Sequence, residues 1–227
     1  MPDLAFQVQG AEPIRFAAEP LLALKLRITN LPADQPIHSI ALRCQIQIEA
    51  PARIYATREE EGLRDLFGER ERWGQTLKKF LWTHVNAMVP PFSGSIVIDL
   101  PVLCSYDLAV AATKYFHALE EGTVPLSLLF SGTIFHRDED GLLQVAQIPW
   151  TKETSYRLPV SAWQETIDLY FPNAGFLVLR RDLLDRLYRH RMKLSLPSWE
   201  HVIDALLPPE DGAKVPGGPV PKRGGDA

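Results

Sequence analysis

Apolar and polar residues alternate along the first fifty residues of the chain, and the longest such run extends from Ser39 to Glu49. A period of two places successive side chains on opposite faces, so this run predicts a long, half-buried β-strand. Shorter alternating runs at 4–9 and 22–29 predict two earlier strands. Half-buried strands that follow one another through turns favour an antiparallel sheet, with its apolar face covered by a second sheet or by helices.

The pattern becomes helical after Arg58. From Glu59 to Val85 the apolar residues recur at helical spacing, interrupted by Gly68 and Gly74, which predicts two amphipathic helical pieces inserted between strands. Acidic and basic residues balance in this insertion. We interpret them as a solvated helix face with local ion pairs, and a docking surface for a partner is the alternative.

Strands return beyond this insertion. An alternating run at 95–100 predicts one strand, and the nearly continuous apolar run from Val124 to Phe135 predicts a strand that is buried on both faces. The turn Asp140-Gly141 then predicts a β-hairpin that leads into 142–148. Two shorter elements are predicted, a helix at 113–121 and a strand at 154–158.

Beyond Pro159 the spacing predicts helices, and proline and glycine make up half of the residues from Pro208 to the end. The sequence therefore predicts an α+β fold with an antiparallel β-sandwich or layered sheet. Its predicted parts are a mainly β domain at 1–158 with a helical insertion at about 59–85, a C-terminal helical subdomain at 159–207 packed on it, and a disordered Pro/Gly-rich tail at 208–227.

Composition restricts the class of protein. A chain of 227 residues that is 46% hydrophobic can bury a full core. With 24 Lys+Arg against 28 Asp+Glu, it has no overall field for nucleic acid or an anionic membrane. The N-terminus lacks a signal-peptide pattern, and no apolar run approaches the roughly 18 residues of a membrane span. We therefore expect a cytoplasmic protein that makes no membrane contact.

The sequence contains no motif for nucleotide binding, zinc proteolysis or serine hydrolysis, which lowers the prior for an enzyme without excluding one. It has two cysteines. We expect no metal and no cofactor, and Cys44, on the apolar face of its strand, is predicted to be a small buried hydrophobe. The isolated histidines are expected to be core or surface residues and not metal ligands.

One stretch, 180–193, has a local charge asymmetry, with six basic residues against Asp182 and Asp185. On a helix that turns Leu184 and Leu187 inward, several of these basic side chains share an outer face. The first interpretation is a solvated face, the second is a surface for an acidic protein partner, and the third is nucleic acid, which is disfavoured because no exposed aromatics are interleaved. The tryptophans are predicted to be core residues, and a ligand pocket is the alternative.

Six stretches carry a resemblance to a known family: Asp65-Leu66-Phe67-Gly68-Glu69, Arg72-Trp73-Gly74, Phe80-Leu81-Trp82-Thr83-His84-Val85, Leu129-Phe130-Ser131-Gly132-Thr133, Asp168-Leu169-Tyr170-Phe171-Pro172 and Leu179-Arg180-Arg181-Asp182. They resemble an uncharacterised bacterial family, a domain of unknown function whose genes tend to lie beside nickel-iron hydrogenase operons. The resemblance covers nearly the whole chain apart from the tail. It implies a cytoplasmic accessory protein for hydrogenase assembly or electron transfer, and it transfers no catalytic residue. The chain lacks the cysteine and histidine clusters that direct metal handling needs.

The leading hypothesis is a non-enzymatic binding or assembly module that contacts another protein through its helical additions, with a hydrogenase subunit or maturation factor as the implied partner. The alternative is a small-molecule-binding protein or an enzyme, with a pocket between sheet and helices near Trp82, His84 and His136. The candidate partner contacts are Trp73, Trp82, Arg180, Arg181, Arg186 and Arg189.

Overall fold

The computed structural model describes residues 2–105, 107–108, 110–138, 140–172 and 174–208. Apart from Pro208, the tail predicted at 208–227 lies outside the described residues. The chain divides into two compact units, Met1–Val178 and Leu179–Ala227. None of the described helices is long and apolar enough to cross a membrane.

The N-terminal unit is built on two antiparallel sheets. One has the strand order β1-β2-β5, and the other has the order β4-β3-β6-β7 with β8 also paired to β6. The predicted α+β fold with layered antiparallel sheets is confirmed. The strands are β1 (Asp3–Pro13), β2 (Leu21–Leu31), β3 (Ile37–Ile48), β4 (Phe80–Val89), β5 (Ser95–Leu103), β6 (Thr123–Arg137), β7 (Leu143–Gln147) and β8 (Glu153–Pro159).

Strand β3 lies at the centre of the larger sheet, between β4 and β6. Its alternation appears directly in its burial, because Ile40, Cys44 and Ile48 are buried while Arg43 is exposed. The prediction that Cys44 is a buried hydrophobe is confirmed. Phe6 of β1 stacks on Phe130 of β6 with ring centroids 4.1 Å apart, so the core lies between the two sheets.

The helical insertion predicted at about 59–85 extends too far toward the C-terminus. The insertion ends before Phe80, and 80–89 is a strand that pairs with β3. The register shifts between Ile46 and Gln47, so that Thr83 lies opposite Ile46 and Leu81 lies opposite Gln47. A bulge of this kind adds a residue and breaks the period of two, which left the apolar residues at a spacing that resembled a helix.

The prediction that the strand from Val124 to Phe135 is buried on both faces was wrong. Only one of its faces is fully buried, with Leu126, Leu128 and Phe130 inward, while Ser131 is exposed and Leu129 is partly exposed. The apolar run overstated burial because Leu129 and Phe135 are apolar residues on the outer face. The hairpin predicted at Asp140-Gly141 is confirmed, since β6 pairs antiparallel with β7.

Four helices complete the N-terminal unit, as far as its residues are described. Helix α4 packs on β1 and β2, and for this reason the division between the units follows Val178, whereas the sequence placed a boundary at 158/159. The helices are α1 (Thr57–Phe67), α2 (Trp73–Thr76), α3 (Ala111–His117) and α4 (Val160–Tyr170).

The C-terminal unit contains helices α5 (Arg181–Lys193) and α6 (Trp199–Asp204). Ser198 caps α6, with its hydroxyl accepting a hydrogen bond from the His201 backbone N–H at 3.3 Å. Capping by serine satisfies a backbone donor that the helix itself leaves unpaired. The helices predicted in this region are therefore present, with α6 starting where Pro197-Ser198 indicated.

Candidate interaction surfaces

Helix α5 is amphipathic, but its apolar face is poorly covered. Leu184, Tyr188 and Met192 follow one another at four-residue intervals and are 45%, 53% and 63% exposed. No residue of α5 is buried. A helix normally owes its stability to the burial of such a face, so this face of α5 has the character of a contact surface.

A second face of α5, next to the apolar face, is basic. Arg186 and Arg189 are three residues apart, and Lys193 lies four residues further on, so the three share one face of the helix. All three are exposed. The other two predicted arginines, Arg180 and Arg181, lie at the start of the helix, where Arg180 pairs with Asp182 at 3.3 Å. The structure thus brings Arg186 and Arg189 together and places Arg180 and Arg181 at one end.

Arg191 stabilises the turn between α5 and α6. The guanidinium of Arg191 donates hydrogen bonds to the carbonyl oxygens of Leu196 at 3.1 Å and Pro197 at 2.7 Å. It also lies 5.2 Å from the ring centroid of Trp199, a distance typical of a cation–π contact. Arg191 therefore has a structural role, and the two helices form a defined hairpin.

Trp73 belongs to the core of the N-terminal unit. It is 8% exposed, and its indole N–H donates to the Gly68 carbonyl oxygen at 3.0 Å. Its ring makes edge contacts with Tyr55 and Phe67 at 5.4 and 6.2 Å. This burial leaves the indole almost no surface for a partner, so its predicted contact role does not fit the structure.

Trp82 is half-buried, and its ring lies 4.9 Å from that of Phe116. The structure does not bring it together with His84 and His136 in one pocket. His84 lies on β4 opposite Gln45, on the exposed outer face of the larger sheet. His136 lies near the C-terminal end of β6, where it is 7% exposed and forms a hydrogen bond with Gln35 at 3.2 Å. The pocket predicted around these three residues is therefore not formed.

A buried ion pair between Arg53 and Glu59 was not predicted. The side chains are 8% and 3% exposed, and they meet at 2.5 Å. Arg53 also donates to the carbonyl oxygens of Glu121 and Thr123, both at 2.7 Å. Glu59 accepts from the backbone N–H groups of Ala56 at 3.1 Å and Glu120 at 3.1 Å. The pair thus ties the start of α1 to the segment between α3 and β6.

The sequence placed Glu59 on a solvated helix face, and this was wrong. The only sequence signal for the pair is the position of Glu59 three residues after Ala56, where a glutamate reaches back to the first backbone N–H of a helix. Nearby, the Tyr55 and Tyr115 hydroxyls meet at 2.8 Å. Burial raises the pKa of both phenols above the ordinary value, so both stay protonated and serve as hydrogen-bonding groups.

Two of the cavities in the N-terminal unit are candidate ligand sites. One, of about 620 Å³, borders the buried pair and is lined by Arg53, Tyr55 and Glu121 among others. The other, of about 410 Å³, is mainly apolar and is lined by residues that include Leu103, Cys104 and Phe171. Both lie in the size range of ligand pockets. Across the described residues, no three His, Cys, Asp or Glu side chains converge to hold a metal ion.

The likeness to solved structures is weak. The putative ApaA protein from Bordetella pertussis is 13% identical and matches 70% of this chain and 95% of its own, with a TM-score of 0.24. The β-glucosidase 3B from Thermotoga neapolitana is 15% identical and matches 69% of this chain and 17% of its own, with a TM-score of 0.21. Superpositions this poor carry no argument about function. No curated protein matches the chain.

A family model establishes which family the chain belongs to, because it matches residues 1–214, which include every strand and helix described above. The match therefore covers both the sandwich and the helical hairpin. The chain belongs to DUF6084, a family of unknown function.

Proposed function

We propose that the protein is a non-enzymatic binding module whose C-terminal helical hairpin contacts another protein, while the β-sandwich serves as a rigid scaffold. The observation that carries this proposal is the exposed apolar face of α5 beside its basic face. Amphipathic helices of this kind bind apolar grooves through residues at i, i+4 and i+8. Leu184, Tyr188 and Met192 have this spacing.

The charges of α5 specify the partner further. Arg189 lies next to Met192 at a spacing of three residues, and Arg186 and Lys193 continue the basic face on that side, so the rim of the partner's groove on that side should be acidic. Complementary charge of this kind accelerates association and selects among partners more than it adds affinity. A partner with a basic rim is disfavoured for the same reason.

The identity of the partner rests on the sequence resemblance rather than on geometry. Genes of the resembling bacterial family tend to lie beside nickel-iron hydrogenase operons. We therefore propose a hydrogenase subunit or maturation factor as the partner, in the cytoplasm of a bacterial cell. In this role the protein would assist assembly or electron transfer and would not itself hold the metal.

Charge reversal on the hairpin tests the proposal. The tagged full chain is used to recover proteins from a host that expresses its nickel-iron hydrogenase, and recovered hydrogenase subunits and maturation factors are quantified by mass spectrometry. The test variant is Arg180→Glu/Arg181→Glu/Arg186→Glu/Arg189→Glu. The control, Arg15→Glu/Arg43→Glu/Arg72→Glu/Lys78→Glu, makes the same change in net charge at exposed residues of the other unit.

We expect the wild-type and control chains to recover a hydrogenase protein and the hairpin variant to recover at least about ten-fold less, a loss equivalent to about 1.4 kcal/mol. Equal recovery by the two variants would reject the hairpin as the contact surface. Failure of the wild-type chain to recover any hydrogenase protein would reject the proposed partner.

The apolar cavity at Leu103, Cys104 and Phe171 favours a second candidate function, small-molecule binding. Its volume of about 410 Å³ suits an apolar ligand. The fluorescent probe 1-anilinonaphthalene-8-sulfonate should bind the folded wild-type chain and bind Leu103→Arg at least several-fold more weakly. Equal binding by both chains would exclude this cavity as a ligand site.

A further inference from the structure

Strand β7 forms an open edge of the larger sheet. It pairs with β6 along 143–147 and is the last strand in the order β4-β3-β6-β7. Strand β8, which pairs with the other half of β6, instead lies beside β1. The outer edge of β7 is therefore uncovered by any strand of the described chain.

The register shows which backbone groups point away from β6. The Ile148 N–H donates to the Gly132 carbonyl oxygen at 2.9 Å, and the Asp138 N–H donates to the Leu142 carbonyl oxygen at 3.0 Å. In an antiparallel pair, hydrogen-bonded residues alternate with residues whose backbone groups face the other way. The outward-facing groups are therefore those of Leu143, Val145 and Gln147.

The same edge is apolar and uncharged. Leu143 and Val145 are 54% and 58% exposed, and Leu142 and Trp150 beside the strand are 63% and 88% exposed. Residues 142–150 include no charged side chain. Edge strands of monomeric proteins are usually protected by charges, prolines or bulges. On other edges of this protein, β1 contains a bulge between Val8 and Gly10 and β5 contains Pro101.

The sequence of β7 is complementary to itself in the antiparallel direction. With Val145 on a two-fold axis, Val145 faces Val145 of the second copy, and Leu143 faces Gln147. All the outward backbone groups are then paired, and no like charges meet. A two-fold interface uses the same patch on both copies, as this arrangement does.

We propose that β7 is a self-association site through which two copies of the chain join their larger sheets edge to edge. The pairing brings Leu142 of one copy opposite Ile148 and beside Trp150 of the other, so the exposed apolar residues of the edge are covered together. A five-residue edge buries less surface than the roughly 800 Å² per partner of a standard stable interface. The dimer is therefore reversible and depends on protein concentration.

Sedimentation velocity over a concentration series tests the proposal with the full chain. Wild type should shift reversibly from the mass of one chain to that of two. Val145→Lys places two ammonium groups directly opposite each other on the axis, so it should remain monomeric at every concentration. Met88→Lys is the matched control, because Met88 is 69% exposed on β4 of the same sheet, and it should dimerise like wild type.

A charge-swap experiment tests the register. Val145→Glu should also be monomeric alone, and an equimolar mixture with Val145→Lys should restore the dimer, since opposite charges then meet on the axis. A wild-type chain that stays monomeric throughout would overturn the proposal, as would a Val145→Lys variant that dimerises like Met88→Lys. A mixture that remains monomeric would overturn the register centred on Val145.

Discussion

Arg53 and Glu59 form the most deeply buried ion pair in the described part of the chain, with side chains 8% and 3% exposed. Removal of one partner from such a pair leaves the other charge buried without compensation. Glu59→Gln preserves the shape of the side chain and removes its charge. We expect it to lower the free energy of unfolding by about 3–5 kcal/mol, measured by urea denaturation.

An exposed pair provides the control for this prediction. Arg64 and Glu69 meet at 3.2 Å with side chains 64% and 59% exposed. Glu69→Gln should change the free energy of unfolding by less than about 1 kcal/mol, because solvent screens exposed pairs. If the two glutamine variants were equally stable, the Arg53–Glu59 pair would not be the clamp that the geometry indicates.

The two cysteines give a pH-dependent prediction. Burial raises the pKa of the Cys44 and Cys104 thiols to about 12, whereas a thiol in the unfolded chain ionises near pH 8.5, roughly. The folded pKa is the higher one, so the stability contribution is complete below the unfolded pKa and is lost as the pH rises. We expect the free energy of unfolding to fall as the pH rises above about 8.5 and to go on falling until the pH reaches about 12.

Cys44→Ala/Cys104→Ala separates this effect from other titrations. The variant should be less stable at neutral pH because it loses buried volume, but its stability should decline less steeply above about pH 8.5. Urea denaturation at a series of pH values measures both quantities. Identical slopes for the variant and the wild-type chain would contradict the assignment to the thiols.

Among the strands, β6 has a position that only glycine fits. Gly132 has a φ of +140°, and a Cβ added there would lie 2.1 Å from the Ala41 carbonyl oxygen of β3. Gly132→Ala should therefore cost about 1–3 kcal/mol from the backbone conformation alone, with the clash adding to this loss. Thermal unfolding should show a clearly lower midpoint temperature.

Gly74→Ala is the comparison for this variant. Gly74 lies in α2, and nothing lies within 4 Å of an added Cβ. Alanine in a helix is favoured over glycine by about 1 kcal/mol, so this variant should be as stable as wild type or slightly more stable. A Gly132→Ala variant with the same unfolding midpoint as Gly74→Ala would show that β3 and β6 can separate at this point without loss of stability.

The elements that the sequence predicted well are those with unbroken patterns. Strands β1, β2 and β3 alternate over 4–8, 24–30 and 40–48, and the burial follows that alternation. Strand β4 was mistaken for helix because the bulge opposite Ile46 and Gln47 changed its phase. The position of a bulge depends on the neighbouring strand, and a single run of residues does not contain that information.

The candidate site was predictable to a different extent. The basic cluster of α5 was visible in sequence because charge and helical spacing are local properties. The Arg53–Glu59 pair was not visible, since its hydrogen bonds to Glu120, Glu121 and Thr123 join segments about sixty to seventy residues apart. The prediction that the tryptophans are core residues holds for Trp73, which is buried beside Phe67, and in part for Trp82, which is half-buried beside Phe116.

At the scale of the whole molecule, the two units differ in how much they bury. The N-terminal unit has a continuous core between its sheets. In the described part of the C-terminal unit, Val202 is the only buried residue. Segments with few buried contacts open readily and exchange their amide hydrogens quickly. The hairpin is therefore the part of the chain that a binding partner would stabilise most.

Hydrogen–deuterium exchange of the full chain, alone and with nickel-iron hydrogenase purified from the same host, tests this account most directly. We expect amides of 181–193 to exchange rapidly in the free chain and at least about ten-fold more slowly in the complex, with the strands of the sandwich unchanged. Unchanged exchange in 181–193, or protection confined to the N-terminal unit, would contradict the account.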